Sequence, residues 1–248
     1  MVRYVRAIAA VILLVVASTF VTPCQAESVA LIKEKARRLY FGDGVQRNLP
    51  AALSLYLQAA ALGDPEAQYI AGGMYFKGRG TEIDREKAFS YLYRAAKNGK
   101  SSTASQKIIA QSFLVGESVP KNFDEAIHWF KLAAESGDSE AQNELAFIYF
   151  TGNGVKKDYE KAYQLFSDAA KLNHPLAQYN LGIMLYSGEG VPEVDLPGAY
   201  AWFSIAATNG HAEAGQAVDF LETVLTKDEI IQAQKKSEAL YQSIKSRK

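Results

Sequence analysis

The sequence has a single cysteine, Cys24, three histidines, and no excess of either charge, with 27 Lys and Arg set against 27 Asp and Glu. Each scarcity excludes something. One thiol cannot form an internal disulfide, and there is no Cys/His cluster at metal-ligand spacing. A neutral chain has no basic surface to draw in nucleic acid or an anionic membrane as its main partner. The histidines, His128, His174 and His211, lie in separate stretches with no carboxylate or cysteine cluster beside them. Neither a metal nor another cofactor is therefore expected. The longest apolar run, Ala7 to Val21, is about fifteen residues. That is short of the ~20 a spanning helix needs.

This run follows Arg3 and Arg6 and leads to Cys24-Gln25-Ala26, small residues where a signal peptidase reads. The pattern predicts a signal peptide over 1–26, cleaved after Ala26. Pro23 directly before Cys24 does not suit a lipoprotein signal. Cleavage removes the only cysteine and two arginines, leaving a slightly acidic chain from Glu27 to Lys248. The expected location is periplasmic or secreted, with a membrane reached only through a partner.

What the chain does have is a repeat. Paired alanines recur at Ala59-Ala60, Ala95-Ala96, Ala133-Ala134, Ala169-Ala170 and Ala206-Ala207, in steps of 36, 38, 36 and 37. A Gly-x-Gly turn recurs at Gly42/Gly44, Gly78/Gly80, Gly152/Gly154 and Gly188/Gly190, and in the third copy Ser118 replaces the second glycine. Such a period marks a stacked repeat architecture. Each unit reads as two helices. The first begins near Ala67, Ala104, Ala141, Ala177 and Ala214. The second follows Asn48, Asp84, Asn122, Asp158 or Asp195, all good N-caps, and Asn122 with Glu125 resembles a capping box. It ends at Gly63, Gly99, Gly137, Asn173 or Gly210, residues that tolerate a left-handed C-terminal turn.

The second helices carry one apolar stripe at i, i+3, i+4, i+7: Ala126, Trp129, Phe130, Ala133; then Ala162, Leu165, Phe166, Ala169; then Ala199, Trp202, Phe203, Ala206. A lone helix pair cannot bury both its faces, so the units must stack. The first copy, with its charged Lys33 to Arg38, is read as an N-terminal cap. The third is read with one extra residue between Ala104 and Gly116. Thr226-x-x-Glu229 opens a last helix that covers the exposed end. The expected organisation is a signal over 1–26, a solenoid over 27–215 and capping helices over 216–248.

The pattern Ala-Gln-Tyr-Asn-Leu-Gly from Ala177, running to Gly188-x-Gly190-Val191, resembles the Sel-one-like repeat family, as does Lys161-Ala162 followed by Leu165-Phe166 and Ala169-Ala170. These repeats are longer relatives of the tetratricopeptide repeat, and the resemblance covers about residues 31 to 215. It implies an all-α, right-handed superhelical solenoid of about five repeats that serves as an adaptor or scaffold, often as an exported bacterial regulator, and not as an enzyme. Some exported members linked to penicillin binding carry a cysteine pair in each repeat, which this chain lacks.

Few residues suggest chemistry. Ser118-Val-Pro-Lys121 matches the Ser-x-x-Lys of penicillin-reactive enzymes, but no Ser-Asp-Asn or Lys-Thr-Gly accompanies it. A penicillin-reactive or cell-wall hydrolytic enzyme is the alternative it supports; a secreted effector binding a host protein is another. The Gly-x-Gly turns do not extend to a phosphate loop, so no nucleotide is expected. His174 and His211 stand where Asp64, Ser101 and Asp138 open other first helices.

A protein partner is expected on the first helices, which line the concave side of tetratricopeptide arrays. Positions nine, five and two before the turn glycine share one helix face. They read Lys33, Arg37, Tyr40; Tyr69, Gly73, Phe76; Lys107, Gln111, Leu114; Asn143, Phe147, Phe150; and Tyr179, Ile183, Tyr186. The candidate groove has a basic N-terminal end and an aromatic C-terminal half, with Tyr40, Tyr69, Phe76, Phe147, Phe150, Tyr179, Ile183 and Tyr186 as contact residues. Aromatics give large contact area on few rotatable bonds. Two readings stand at this point: Tyr69, Phe147, Tyr179 and Tyr186 as exposed contacts, or the aromatics as packing between repeats beside the core positions Leu39, Tyr75, Phe113, Tyr149 and Leu185.

Overall fold

The computed structural model describes residues 23–246, with side chains from residue 28; the signal-peptide expectation lies largely outside the described residues. Twelve helices and no strand occur among them. They form five pairs: α1 (Pro23–Phe41) with α2 (Leu49–Ala61), α3 (Pro65–Lys77) with α4 (Arg85–Lys97), α5 (Thr103–Val115) with α6 (Phe123–Glu135), α7 (Ser139–Thr151) with α8 (Tyr159–Lys171), and α9 (Pro175–Ser187) with α10 (Leu196–Thr208). Helices α11 (Ala214–Val224) and α12 (Lys227–Lys245) follow. The chain divides into two compact units, Met1–Lys100 and Ser101–Lys248.

Local chemistry starts and stops each helix. Asn48, Asp84, Asn122, Asp158 and Asp195 each accept a hydrogen bond from a backbone N–H of the first turn of α2, α4, α6, α8 and α10. The backbone N–H of the same five residues donates to the carbonyl of Leu39, Tyr75, Phe113, Tyr149 or Leu185, at 2.9–3.1 Å, closing every hairpin alike. Gly63, Gly99, Gly137, Asn173 and Gly210 all take positive φ, and Asn173, at 65°, is the only non-glycine to do so among the described residues. The expected Asn122–Glu125 capping box is absent, because the Glu125 carboxylate instead accepts from Trp129 Nε1 at 2.9 Å. Boxes do form at Ser102/Ser105 and Thr226/Glu229.

The two glycines of the turn divide their work. Gly152, with φ 75°, is the left-handed cap of α7. Gly154 lets the chain lie against the preceding repeat, where a Cβ would come within 2.2 Å of the Phe123 side chain. At Gly190 the obstacle would be the Tyr159 carbonyl, at 2.3 Å.

The third repeat differs from its expected register. Its first helix has the usual 13 residues. Its cap is Ser102, not Ser101, because the Ser102 hydroxyl accepts from the Ser105 N–H at 3.2 Å. The added length therefore lies between Gly99 and Ser102, and not between Ala104 and Gly116.

Within each unit the alanines set the spacing. In the first unit Ala36, Ala52, Ala59, Ala67, Ala71 and Ala88 are fully buried and Tyr56, Met74 and Tyr75 fill the space between helices. In the second unit Ala162, Ala169, Ala177 and Ala199 play this part around Phe166, Leu181, Met184 and Phe203. Helix α12 closes on α10, with Ala233 and Ile244 buried in the same cluster. A buried amide also ties the layers. Gln178, fully buried, donates to the Ala170 carbonyl at 3.1 Å and accepts from Asn209 at 2.9 Å, joining the ends of α8 and α10 to α9. Gln68 is its counterpart in the first unit, between the Ala60 carbonyl and Asn98.

Candidate functional site: the face of the first helices

In the first unit the expected basic end is neutralised. Lys33 reaches Asp64 at 3.1 Å and Glu66 at 2.7 Å on the next first helix. Arg37 pairs with Glu34 and Asp43 at 3.0 and 2.8 Å. These cations lie beside carboxylates, so they are internal ties and not a free basic patch. Tyr40 is half-buried, its hydroxyl bonded to Arg79, and Phe76 is half-buried beneath Arg85. Tyr69 is half-buried as well.

In the second unit the position nine before the turn glycine again serves junctions between repeats. Lys107 bonds Asp138 and Glu140 of α7 and its N-cap. Burial works against the charge of Lys33 and Lys107, but their carboxylates more than offset it, and both pKa values stand above the ordinary lysine value. Asn143 is buried and accepts from Asn180 of α9 at 3.2 Å. Tyr179, expected to be exposed, is half-buried and stacked on His211 with ring centroids 4.2 Å apart.

The positions five and two before the glycine behave differently. Phe147 is 47% exposed and Tyr186 44%, while Ile183 and Phe150 are half-buried. Phe150 packs edge-on against Tyr159 and Phe166. The sequence reading missed one member of this face. Phe220 on α11 is 52% exposed and lies 6.1 Å from Tyr186 in edge-to-face contact. Its register held the clue: Phe220 falls nine residues after His211, as Ile183 does after His174 and Phe147 after Asp138. Leu176, Val115 and Val224 are further exposed apolar residues on first helices and α11. Among the described residues of this unit, six of the nine exposed large apolar side chains thus lie on α5, α7, α9 and α11, and Leu172, Val194 and Ile231 are the others.

The other expected sites are ordinary in geometry. Nδ1 of His174 caps α9, accepting from the Ala177 N–H at 3.2 Å. Burial lowers its pKa, and Glu140 and Asp138 oppose that shift. His128 is exposed on α6. Ser118 and Lys121 lie in the turn between α5 and α6, and Lys121 is exposed. Among the described residues no group of three or more His, Cys, Asp or Glu is gathered for a metal, and no helix is long and apolar enough to cross a membrane. A cavity of about 750 Å³ opens between α6, α7 and α8 over Leu145, Tyr149 and Leu165, ringed by side chains of both charges.

A Sel1 repeat family model matches five times, over residues 36–64, 65–100, 104–138, 139–174 and 175–211. An uncharacterized protein of Neisseria meningitidis is 36% identical over 109 residues, which are 44% of this chain and 22% of that protein. The rat protein sel-1 homolog 2 is 35% identical over 104 residues, 42% of this chain and 15% of the relative. The chain thus spans less than a quarter of the length of these curated relatives. Among solved structures, a Sel1 repeat protein from Oxalobacter formigenes aligns with a TM-score of 0.60 and 26% identity, over 94% of this chain and 93% of that one.

Proposed function

Since the chain belongs to the Sel1 repeat family, whose members typically mediate protein–protein interaction, we propose that it is an exported scaffold that docks a partner protein on the first-helix face of its second unit and acts as an adaptor or regulator of an envelope protein. One observation carries the reading: Phe147, Tyr186 and Phe220, large side chains at equivalent or neighbouring register, stand about half exposed on successive first helices. Neighbouring aromatics left about half in water are the usual mark of an interaction surface. Successive helix pairs present such a surface continuously. Export is supported by Arg3, Arg6 and the apolar run that follows them.

The test is in-cell crosslinking and capture with the tagged chain beside its Phe147→Ser/Tyr186→Ser double variant. Both must first show the same circular dichroism and melting temperature. A protein held by the parent and lost by the variant supports the scaffold reading; equal capture by both removes this face from it. For export, residues 1–26 fused to a reporter active only outside the cytoplasm should yield activity, and a silent fusion contradicts the proposal.

A further inference from the structure

Beside Phe147 on α7 lies a carboxylate with no cation to answer it. Glu144 stands three residues before Phe147, hence on the same helix face. It is partly buried, and its one hydrogen bond among the described contacts is a long one, 3.4 Å, from the amide of its neighbour Asn143. Lys107, the one basic side chain at the repeated face positions of this unit, is engaged by Asp138 and Glu140. The Asn143–Asn180 bond holds α7 beside α9 at this level, and the Tyr186–Phe220 contact holds α9 beside α11. Glu144 therefore shares the α7 face with Phe147, and that face continues over α9 and α11 to Tyr186 and Phe220.

Resting on the reading of this face as a docking surface, we infer that it takes a partner segment carrying a lysine or arginine next to aromatic or aliphatic side chains, the cation meeting Glu144 and the apolar residues lying over Phe147, Tyr186 and Phe220. A partly desolvated carboxylate without a counter-ion destabilises the free protein, and a cation arriving from a partner relieves that cost. Burial, with help from Glu140, pushes the Glu144 pKa above the ordinary carboxylate value, the direction expected of an anion lacking its partner. A cationic group beside an aromatic ring gains further from the ring face. An acidic or purely apolar segment would leave Glu144 repelled or dry.

The inference is tested by panning random dodecapeptides displayed on phage against the immobilised full chain, then measuring the strongest sequence as a fluorescent peptide by anisotropy. The expected result is enrichment of Lys or Arg adjacent to aromatic or aliphatic residues. Glu144→Gln, which keeps the shape and removes the charge, should weaken binding about tenfold, a discounted value for a charge pair only partly buried. Phe147→Ser/Tyr186→Ser should weaken it at least as much. Peptides that are apolar without a basic residue, or basic but indifferent to Glu144→Gln, overturn this inference; if they still depend on Phe147 and Tyr186, the docking reading survives it. Failure to enrich any peptide that the double variant loses overturns both.

Discussion

His174 does with an imidazole what Asp64 and Asp138 do with a carboxylate in other repeats: it accepts the N–H of the first turn. Only the neutral ring can do this, since protonation of Nδ1 removes the acceptor. The folded pKa lies below the ordinary value of 6.5, chiefly through burial. The unfolded chain takes up this proton first, so the contribution is complete above about pH 6.5 and is lost as the pH falls through the depressed folded value. His174→Asn keeps a cap without titrating. Urea melts between pH 7.5 and 5 should show a shallower acid-side loss for this variant than for the parent; parallel curves would mean that the cap is not what the proton disrupts. At this scale the sequence was informative about roles along the backbone and much less about exposure. Asp, Asn and Gly announce their positions by their own conformational preferences, and His174 and His211 were legible by standing in line with them. Whether an aromatic faces water depends on the neighbouring repeat. Tyr179 and Phe147 occupy the same periodic face, yet one stacks on His211 and the other stands free of any such ring.

Between elements, close approach depends on residues too small to obstruct it. A Cβ at Gly182 would meet the Phe203 ring at 2.6 Å, and one at Gly72 would meet Leu92 at 2.7 Å. Both neighbours are buried, so either must shift within a packed core to admit a methyl group. Gly182→Ala should cost about 1–3 kcal/mol by overpacking, which lowers the melting temperature by roughly 2–4 °C per kcal/mol in a chain of this size. An unchanged melt would show that α9 and α10 are looser than described. Gln178→Leu should cost about 1–2 kcal/mol, because it removes two hydrogen bonds, one to the Ala170 carbonyl, which keeps the Asn173 N–H at 3.0 Å, and one from Asn209; chemical denaturation checks it. The helix pairs themselves were readable because caps, terminators and the alanine stripe repeat at one period. The third repeat misled because two alternative serines precede its helix and only Ser102 forms the box. Phe220 escaped notice because α11 lacks the turn glycine from which the face positions of the other first helices were counted, although its register continues.

Taken as a whole molecule, the chain has equal numbers of acidic and basic residues and one repeating core element. Composition accordingly argued against nucleic acid and pointed to no reaction, while the period pointed to the Sel1 repeat family. The identity of the face that binds was only half legible, because the charges near the N-terminal end looked available in sequence and are consumed as ties between Lys33, Arg37 and their carboxylates. In the second unit Phe147 and Gln164 are both exposed, the first on a first helix and the second on a second helix. They provide the most direct test of the central claim, that the first-helix face is the docking surface. A photo-crosslinking phenylalanine analogue placed at Phe147, and separately at Gln164, in the full chain would be illuminated in cells. The account predicts a discrete crosslinked partner from position 147 and none from 164. The same partner captured from 164 and absent from 147 would contradict it.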